Sequence, residues 1–156
     1  RGLDTELLLT ERRVAVLPAG HPLAGRPELR RADLAGQPMP RWAGQADPAA
    51  HAYWTGADSP SPAPDQHAET ASGPEINDIS QLLDAVTLSN AVAFVPISVA
   101  DQHRTADVVF VPVSDLRPSE VMAAWPDTSR SRAVAGFVRA AVEVAASHCE
   151  PTAAFA

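Results

Sequence analysis

The stretch Glu11-Arg12-Arg13-Val14-Ala15-Val16-Leu17-Pro18-Ala19-Gly20-His21-Pro22-Leu23-Ala24 decides how the chain is read. Arg13 to Leu17 is an apolar run rich in β-formers, and it predicts a strand. Pro18 ends that strand, because proline fixes its own φ and lacks the N–H that a ladder needs. A turn is expected at Gly20-His21-Pro22, followed by a short helix over Leu29 to Ala35 that Gly36 closes. Strand, turn and small helix together form a connector, Leu7 to Gly36, that carries the chain from one structural unit to another. Upstream, Gly2 to Glu6 reads as a loop, and Leu7-Leu8-Leu9 lacks an earlier partner. A fragment is therefore expected, with part of its sheet absent and apolar faces of the 13–17 strand and the 130–147 helix left open.

Downstream, Gln37 to Trp42 can hold one short strand with its prolines at the start or edge. Residues 43–74 are rich in proline, with Ser59-Pro60-Ser61-Pro62-Ala63-Pro64 favouring extension or disorder. Within them Ala49 to Trp54 can make one helical turn with two aromatics to bury. Order returns at Glu75-Ile76. Asn77 or Asp78 caps a helix whose Ile79, Leu82, Leu83 and Val86 share a face, and Asn90 ends it. Ala91 to Val95 reads as a buried strand stopped by Pro96, with a short helix over 97–103. Strands follow at 107–113 and 121–125. Asp127-Thr128-Ser129 should cap the longest helix, whose stripe is Ala133, Val134, Phe137, Val138, Ala141, Val142 and Ala145. Strands alternating with helices predict an α/β fold with a largely parallel sheet.

Composition excludes several functions. The 156 residues carry a net charge of −7, and all twelve basic residues are arginine. An acidic chain without a basic stripe should not bind DNA by itself. No apolar run approaches the ~20 residues that span a bilayer, and neither a membrane partner nor a secretion signal is expected. The single Cys149 rules out an internal disulfide and a cysteine-only metal site, and it reads as an incidental thiol. His21, His51, His67, His103 and His148 are scattered, with no metal-ligand spacing. No GxSxG, GxGxxG or GxxxxGK[ST] motif is present, so neither catalysis nor a cofactor is expected. The Arg12-Arg13 and Arg30-Arg31 pairs read as solvated faces or salt bridges.

Ligands of open α/β sheets sit beyond the carboxyl ends of parallel strands, against helix N-termini. The candidate strand ends are Arg41-Trp42, Asn77-Asp78 and Val95-Pro96. Arg41 can pair with a carboxylate in a bidentate way, and Trp42 can stack on a planar ligand. The helix start at Asp78 can receive an anion only if the Asp78 carboxylate is itself occupied as a cap. The plainer alternative makes Trp42 core and Arg41 a surface charge.

These residues resemble a family. Leu8 to Ala24, with "LP" then "HPLA", and the later Asp33-Leu34-Ala35-Gly36, are similar to the effector-binding domain of LysR-type transcriptional regulators. Leu82 to Val86 and Ala91 to Pro96 resemble the family's helix–turn–strand, although Ser89-Asn90-Ala91 stands where a glycine turn is usual. The resemblance covers residues 2–147. It implies a two-lobed domain like a type 2 periplasmic binding protein, with lobe one incomplete. Residues 1–18 would be partial lobe one and hinge, 19–107 lobe two, 108–148 the return to lobe one, and 149–156 a tail. It further implies a cytoplasmic, homodimeric or higher-order regulator. A small organic or aromatic acid would bind between its lobes, and DNA would be bound only through an N-terminal helix-turn-helix absent from this chain. A solute-binding protein of a transport system shares the fold and is the alternative; an enzyme on a similar scaffold is a third.

Overall fold

A computed structural model describes residues 2–44, 47–60 and 71–148, the side chain of 148 excepted. Cys149, His67 and the Ser-Pro repeat beyond Pro60 lie outside the described residues. The chain forms two compact units. Residues 12–118 make one continuous unit, and residues 1–11 with 119–156 make the other.

The 12–118 unit is built on β2 (Arg13–Pro18), the central strand of a three-stranded sheet in the order β5 (Ala93–Pro96), β2, β6 (Val108–Pro112). All six residues of β2 are buried. Their alternation serves two cores. Val14 and Val16 join Leu82, Val86, Ala93 and Val95 on one side. Ala15 and Leu17 join Leu29, Leu34, Met39 and Phe94 on the other. A strand covered on both faces needs no polar alternation, which is why its sequence is apolar throughout. The open apolar face expected on this strand is therefore absent.

The sheet also corrects the expected strand direction. β2 runs antiparallel to both β5 and β6. Among the described residues, parallel pairing is confined to β3 (Pro38–Trp42) with β4 (Ala71–Ile76), plus an isolated Leu29–Val113 bridge. Alternating strands and helices do not compel parallel pairing when a central strand enters the sheet from a neighbouring unit. β4 begins at Ala71, inside the stretch that sequence alone leaves irregular. Gly73 makes this possible, because a Cβ there would lie 2.5 Å from the Met39 carbonyl oxygen. Pro74 sits where the β3–β4 register shifts, so its missing N–H disturbs no regular rung.

Local signals hold well elsewhere in this unit. A 3-10 turn spans Arg31–Leu34, and Gly36 follows at φ 75°. α1 (Pro48–Thr55) is capped by Asp47 and closed by Gly56 at φ 75°. α2 (Ile79–Ser89) starts from an Asp78 cap and ends at Asn90, φ 50°, with Leu82, Ala85 and Val86 buried. α3 (Ile97–Gln102) begins directly after Pro96.

The other unit pairs β1 (Leu3–Glu11) antiparallel with β7 (Ser119–Pro126) and adds α4 (Arg132–His148). Residues 3–6, expected as loop, are thus strand, because their partner lies more than a hundred residues downstream. α4 starts after Ser131, whose Oγ accepts from the Val134 N–H at 3.5 Å, so Asp127 to Ser129 are a turn and not its cap. The expected stripe divides, and its outer part is the apolar face expected to lie open on this helix. Ala145 is buried and Val134, Val138 and Ala141 are half-buried, but Phe137 is 67% exposed. Leu3, Leu7, Val121, Met122 and Val144 are exposed in the same unit.

These burials separate substitutions sharply. Leu17→Ala should destabilise by about 2–5 kcal/mol in urea unfolding, since it opens a cavity in a central strand. Leu88→Ala, at a side chain 81% exposed, should stay within about 0.5 kcal/mol.

Candidate functional site

The sequence-derived candidates fall into two groups within the 12–118 unit. Arg41 and Trp42 end β3, and their register partners Glu75 and Ile76 end β4. Asn77 and Asp78 follow β4 directly, so four of the six candidates gather at the carboxyl end of the parallel β3–β4 pair. The Ala43 N–H donates to the Ile76 carbonyl at 2.8 Å and holds the two strand ends together. Val95 and Pro96 lie on β5, opposite Val14 and Arg13 of β2. Val95 is fully buried in the core and has no surface to offer a ligand.

The four gathered residues differ in availability. Asp78 Oδ1 accepts from the Gln81 N–H at 2.8 Å, the ordinary N-cap bond. Gln81 Oε1 accepts from the Asn77 N–H at 2.9 Å and from Asn77 Nδ2 at 3.2 Å. The Asp78 carboxylate thus already occupies the start of α2, and an incoming anion would have to displace it. Arg41 is exposed, and its side chain has no ion pair with another described residue. Trp42 is half-buried. It packs on the core below and meets the Trp54 ring at 4.7 Å with a 40° tilt. Trp42 thus follows the plainer reading in part, packed on the core while keeping some exposed surface.

Sequence reasoning missed the most heavily bonded side chain of the unit. Arg13 is 1% exposed, while its neighbour Arg12 is exposed. Its Nη2 donates to both Asp58 carboxylate oxygens, at 2.7 and 2.9 Å, and to Ser59 Oγ at 3.2 Å. Nε donates to the Arg117 carbonyl at 2.6 Å, and Nη1 donates to the Tyr53 carbonyl. The guanidinium also stands 4.5 Å from the centre of the Tyr53 ring, a cation–π contact. Ser59 Oγ in turn accepts from the Arg117 N–H at 2.6 Å. Of the expected choice between solvated face and salt bridge, Arg13 takes the second in buried form. The signal available in sequence was weak: an Asp58 shortly after the Gly56 helix end, and an arginine opening an otherwise apolar strand.

Two depressions lie elsewhere. One of about 450 Å³, within the 1–11/119–156 unit, is walled by Trp125, Val134 and Val138 with Arg130 and Arg132 at its rim. The other, about 720 Å³ and wide open, runs along Pro18 to Leu23 with Asn90 and Asp107. His21 belongs there as a turn residue, its Nδ1 accepting from the Leu23 N–H at 3.2 Å. Neither includes Arg41 or Trp42. Among the described residues no cluster of His, Cys, Asp and Glu could hold a metal ion, and no helix is long and apolar enough to cross a membrane.

The order of these elements, and the crossing of the chain between two units, have a counterpart among known proteins. The family model described as the LysR substrate binding domain matches residues 1–146. This chain belongs to that family. As a LysR substrate-binding domain it takes the type 2 periplasmic-binding-protein-like α/β fold. It is similar to the BenM effector binding domain solved with its effector benzoate, at 17% identity and TM-score 0.70, over 96% of this chain and 67% of that one. HinK, a LysR family transcriptional regulator from Pseudomonas aeruginosa, matches at 18% identity and TM-score 0.67, over 92% of this chain and 48% of that one. The C-terminal domain of a LysR family regulator from Rhodococcus sp. RHA1 matches at 22% identity and TM-score 0.65, over 89% and 67%. The chain thus spans about half the length of the HinK chain, and 50% of full-length BenM. No curated protein matches it.

The Arg13 node gives a direct expectation for this substrate-binding domain. Asp58→Ala leaves a buried guanidinium without its counter-ion and should cost about 3–5 kcal/mol by chemical denaturation. Asp101→Ala breaks a pair whose side chains are 71% and 54% exposed, and should cost less than about 1 kcal/mol.

Proposed function

We propose that the chain is the effector-sensing part of a cytoplasmic LysR-type DNA-binding transcriptional regulator and catalyses nothing itself. On this reading the 12–118 unit is lobe two and the 1–11/119–156 unit belongs to lobe one. DNA is read by a separate N-terminal helix-turn-helix, and the regulator works as a homodimer or larger homo-oligomer. The effector is a small carboxylate received at the carboxyl end of the β3–β4 pair. Arg41 grips the carboxylate and Trp42 offers its ring to a planar body.

The observation that carries this reading is the state of Arg41. An exposed guanidinium without an ionic partner among the described residues, at the same strand end as a half-buried tryptophan, supports a bidentate carboxylate contact there. Asn77 and Asp78 act as the cap that fixes the floor of this site, and Pro96 as a supporting residue. Membership of the LysR substrate-binding family, and the regulators among its structural neighbours, favour a transcriptional sensor over a transport solute-binding protein. Ligand binding would then bias the equilibrium between two arrangements of the whole regulator.

Benzoate, the effector named for the BenM domain, is the first probe, followed by other aromatic and aliphatic acids. In a Trp125→Phe background the remaining tryptophan signal comes from Trp42 and Trp54. The acid that binds should change that emission, and Arg41→Ala should weaken it by roughly tenfold or more, the worth of a charged hydrogen bond. A panel of acids that leaves both the emission and the promoter footprint of the full-length regulator unmoved would remove the sensing role.

A further inference from the structure

We propose that the Trp42–Trp54 pair is mechanically continuous, through Tyr53 and Arg13, with both points at which the chain leaves the 12–118 unit. The proposal deepens the reading of β3–β4 as the effector site, on which its regulatory meaning rests. The path itself stands on contacts alone.

It begins at Trp42, whose backbone is fixed by the β3–β4 pairing and whose ring meets Trp54 at 4.7 Å. Trp54 meets Tyr53 edge-on, at 5.0 Å and 88°. Tyr53 then holds Arg13 twice, through its ring and through its carbonyl. From Arg13 the path divides. One branch is the chain itself: Arg13 is one residue from the start of the unit at Arg12. The Arg12 carbonyl accepts from the Ile97 N–H at 2.9 Å. The other branch is the 2.6 Å bond to the Arg117 carbonyl, one residue from the end of the unit at Pro118.

Burial makes these links stiff. The Arg13 side chain has no exposed surface, so water cannot replace a bond that is lost. A planar guanidinium with its donors shared among Tyr53, Asp58, Ser59 and Arg117 cannot follow Tyr53 without moving at least one other partner. Gly56 closes off the alternative of letting α1 slide. A Cβ there would stand 2.7 Å from Leu116 and 3.1 Å from Phe94, so the α1 end is seated directly on the core. A displacement of the aromatic pair is therefore passed on to the two exits and not absorbed within α1.

Amide hydrogen exchange on the full chain, without any small molecule, tests this. The Arg117 and Ile97 amides are the reporters, and the Ala19 and Leu29 amides, bonded to Asp107 and Pro112, are the controls. Trp54→Leu should speed exchange at both reporters about tenfold, leave the controls unchanged, and be rescued by Trp54→Phe. Trp42→Leu, at the far end of the path, should give the same pattern and serves if the first variant does not fold. Acceleration confined to residues 48–59, or spread evenly to the controls, overturns the proposal. Because no ligand is used, failure to bind any acid would leave this result standing, and the reverse also holds.

Discussion

A guanidinium shut away from water dictates much of the 12–118 unit. Arg13 opens a strand that is otherwise apolar and buried on both faces. A charge in that position is tolerated only when it is paired and its donors are met. Meeting them fixes the end of α1 at Tyr53 and the Asp58-Ser59 loop just after it, and also the backbone at Arg117, far away in sequence. Ser59 completes the arrangement by accepting from Arg117 as well as from Arg13. The proline-rich region is thereby tied to the sheet by polar chemistry where its own sequence offers few apolar anchors.

What could be read from the sequence was mostly what is decided within a few residues. Pro18 and Pro96 stop their strands because of proline's own covalent geometry. Asp78 and Asn90 bound α2 because a carboxylate suits an N-cap and asparagine tolerates the left-handed region. Strand direction was not legible, since β2 pairs antiparallel with partners some eighty and ninety-five residues away. An open apolar face on α4 was expected, but not which of its side chains would form it. Period identifies a helix, but which apolar side chains find a partner depends on the rest of its unit. Gly2 to Glu6 failed as a loop for the same reason: its pairing partner is β7.

The placement of the candidate site was legible to a similar depth. The strand-end rule led to Arg41, Trp42, Asn77 and Asp78, which do gather in one place, because β3 and β4 are the strands to which a parallel-sheet argument applies. It failed for Val95, where β5 lies in the antiparallel sheet and its side chain turns into the core. Tyr53 and Trp54 could be seen as a pair of aromatics needing burial. That one of them would meet Trp42 and the other a buried arginine is a tertiary fact that spacing does not contain.

The pairing of β1 with β7 has a consequence for how the chain assembles on the ribosome. Glu11 pairs with Ser119, so β1 is made long before its partner exists. At ordinary translation rates the wait is roughly 5–20 seconds. Both apolar cores lie within residues 14–113, so the intervening unit can collapse during that interval. When it does, the Arg13 bond to Arg117 brings its two ends side by side. The long loop separating β1 from β7 is then already closed, and the last strand to emerge meets the first one as a near neighbour.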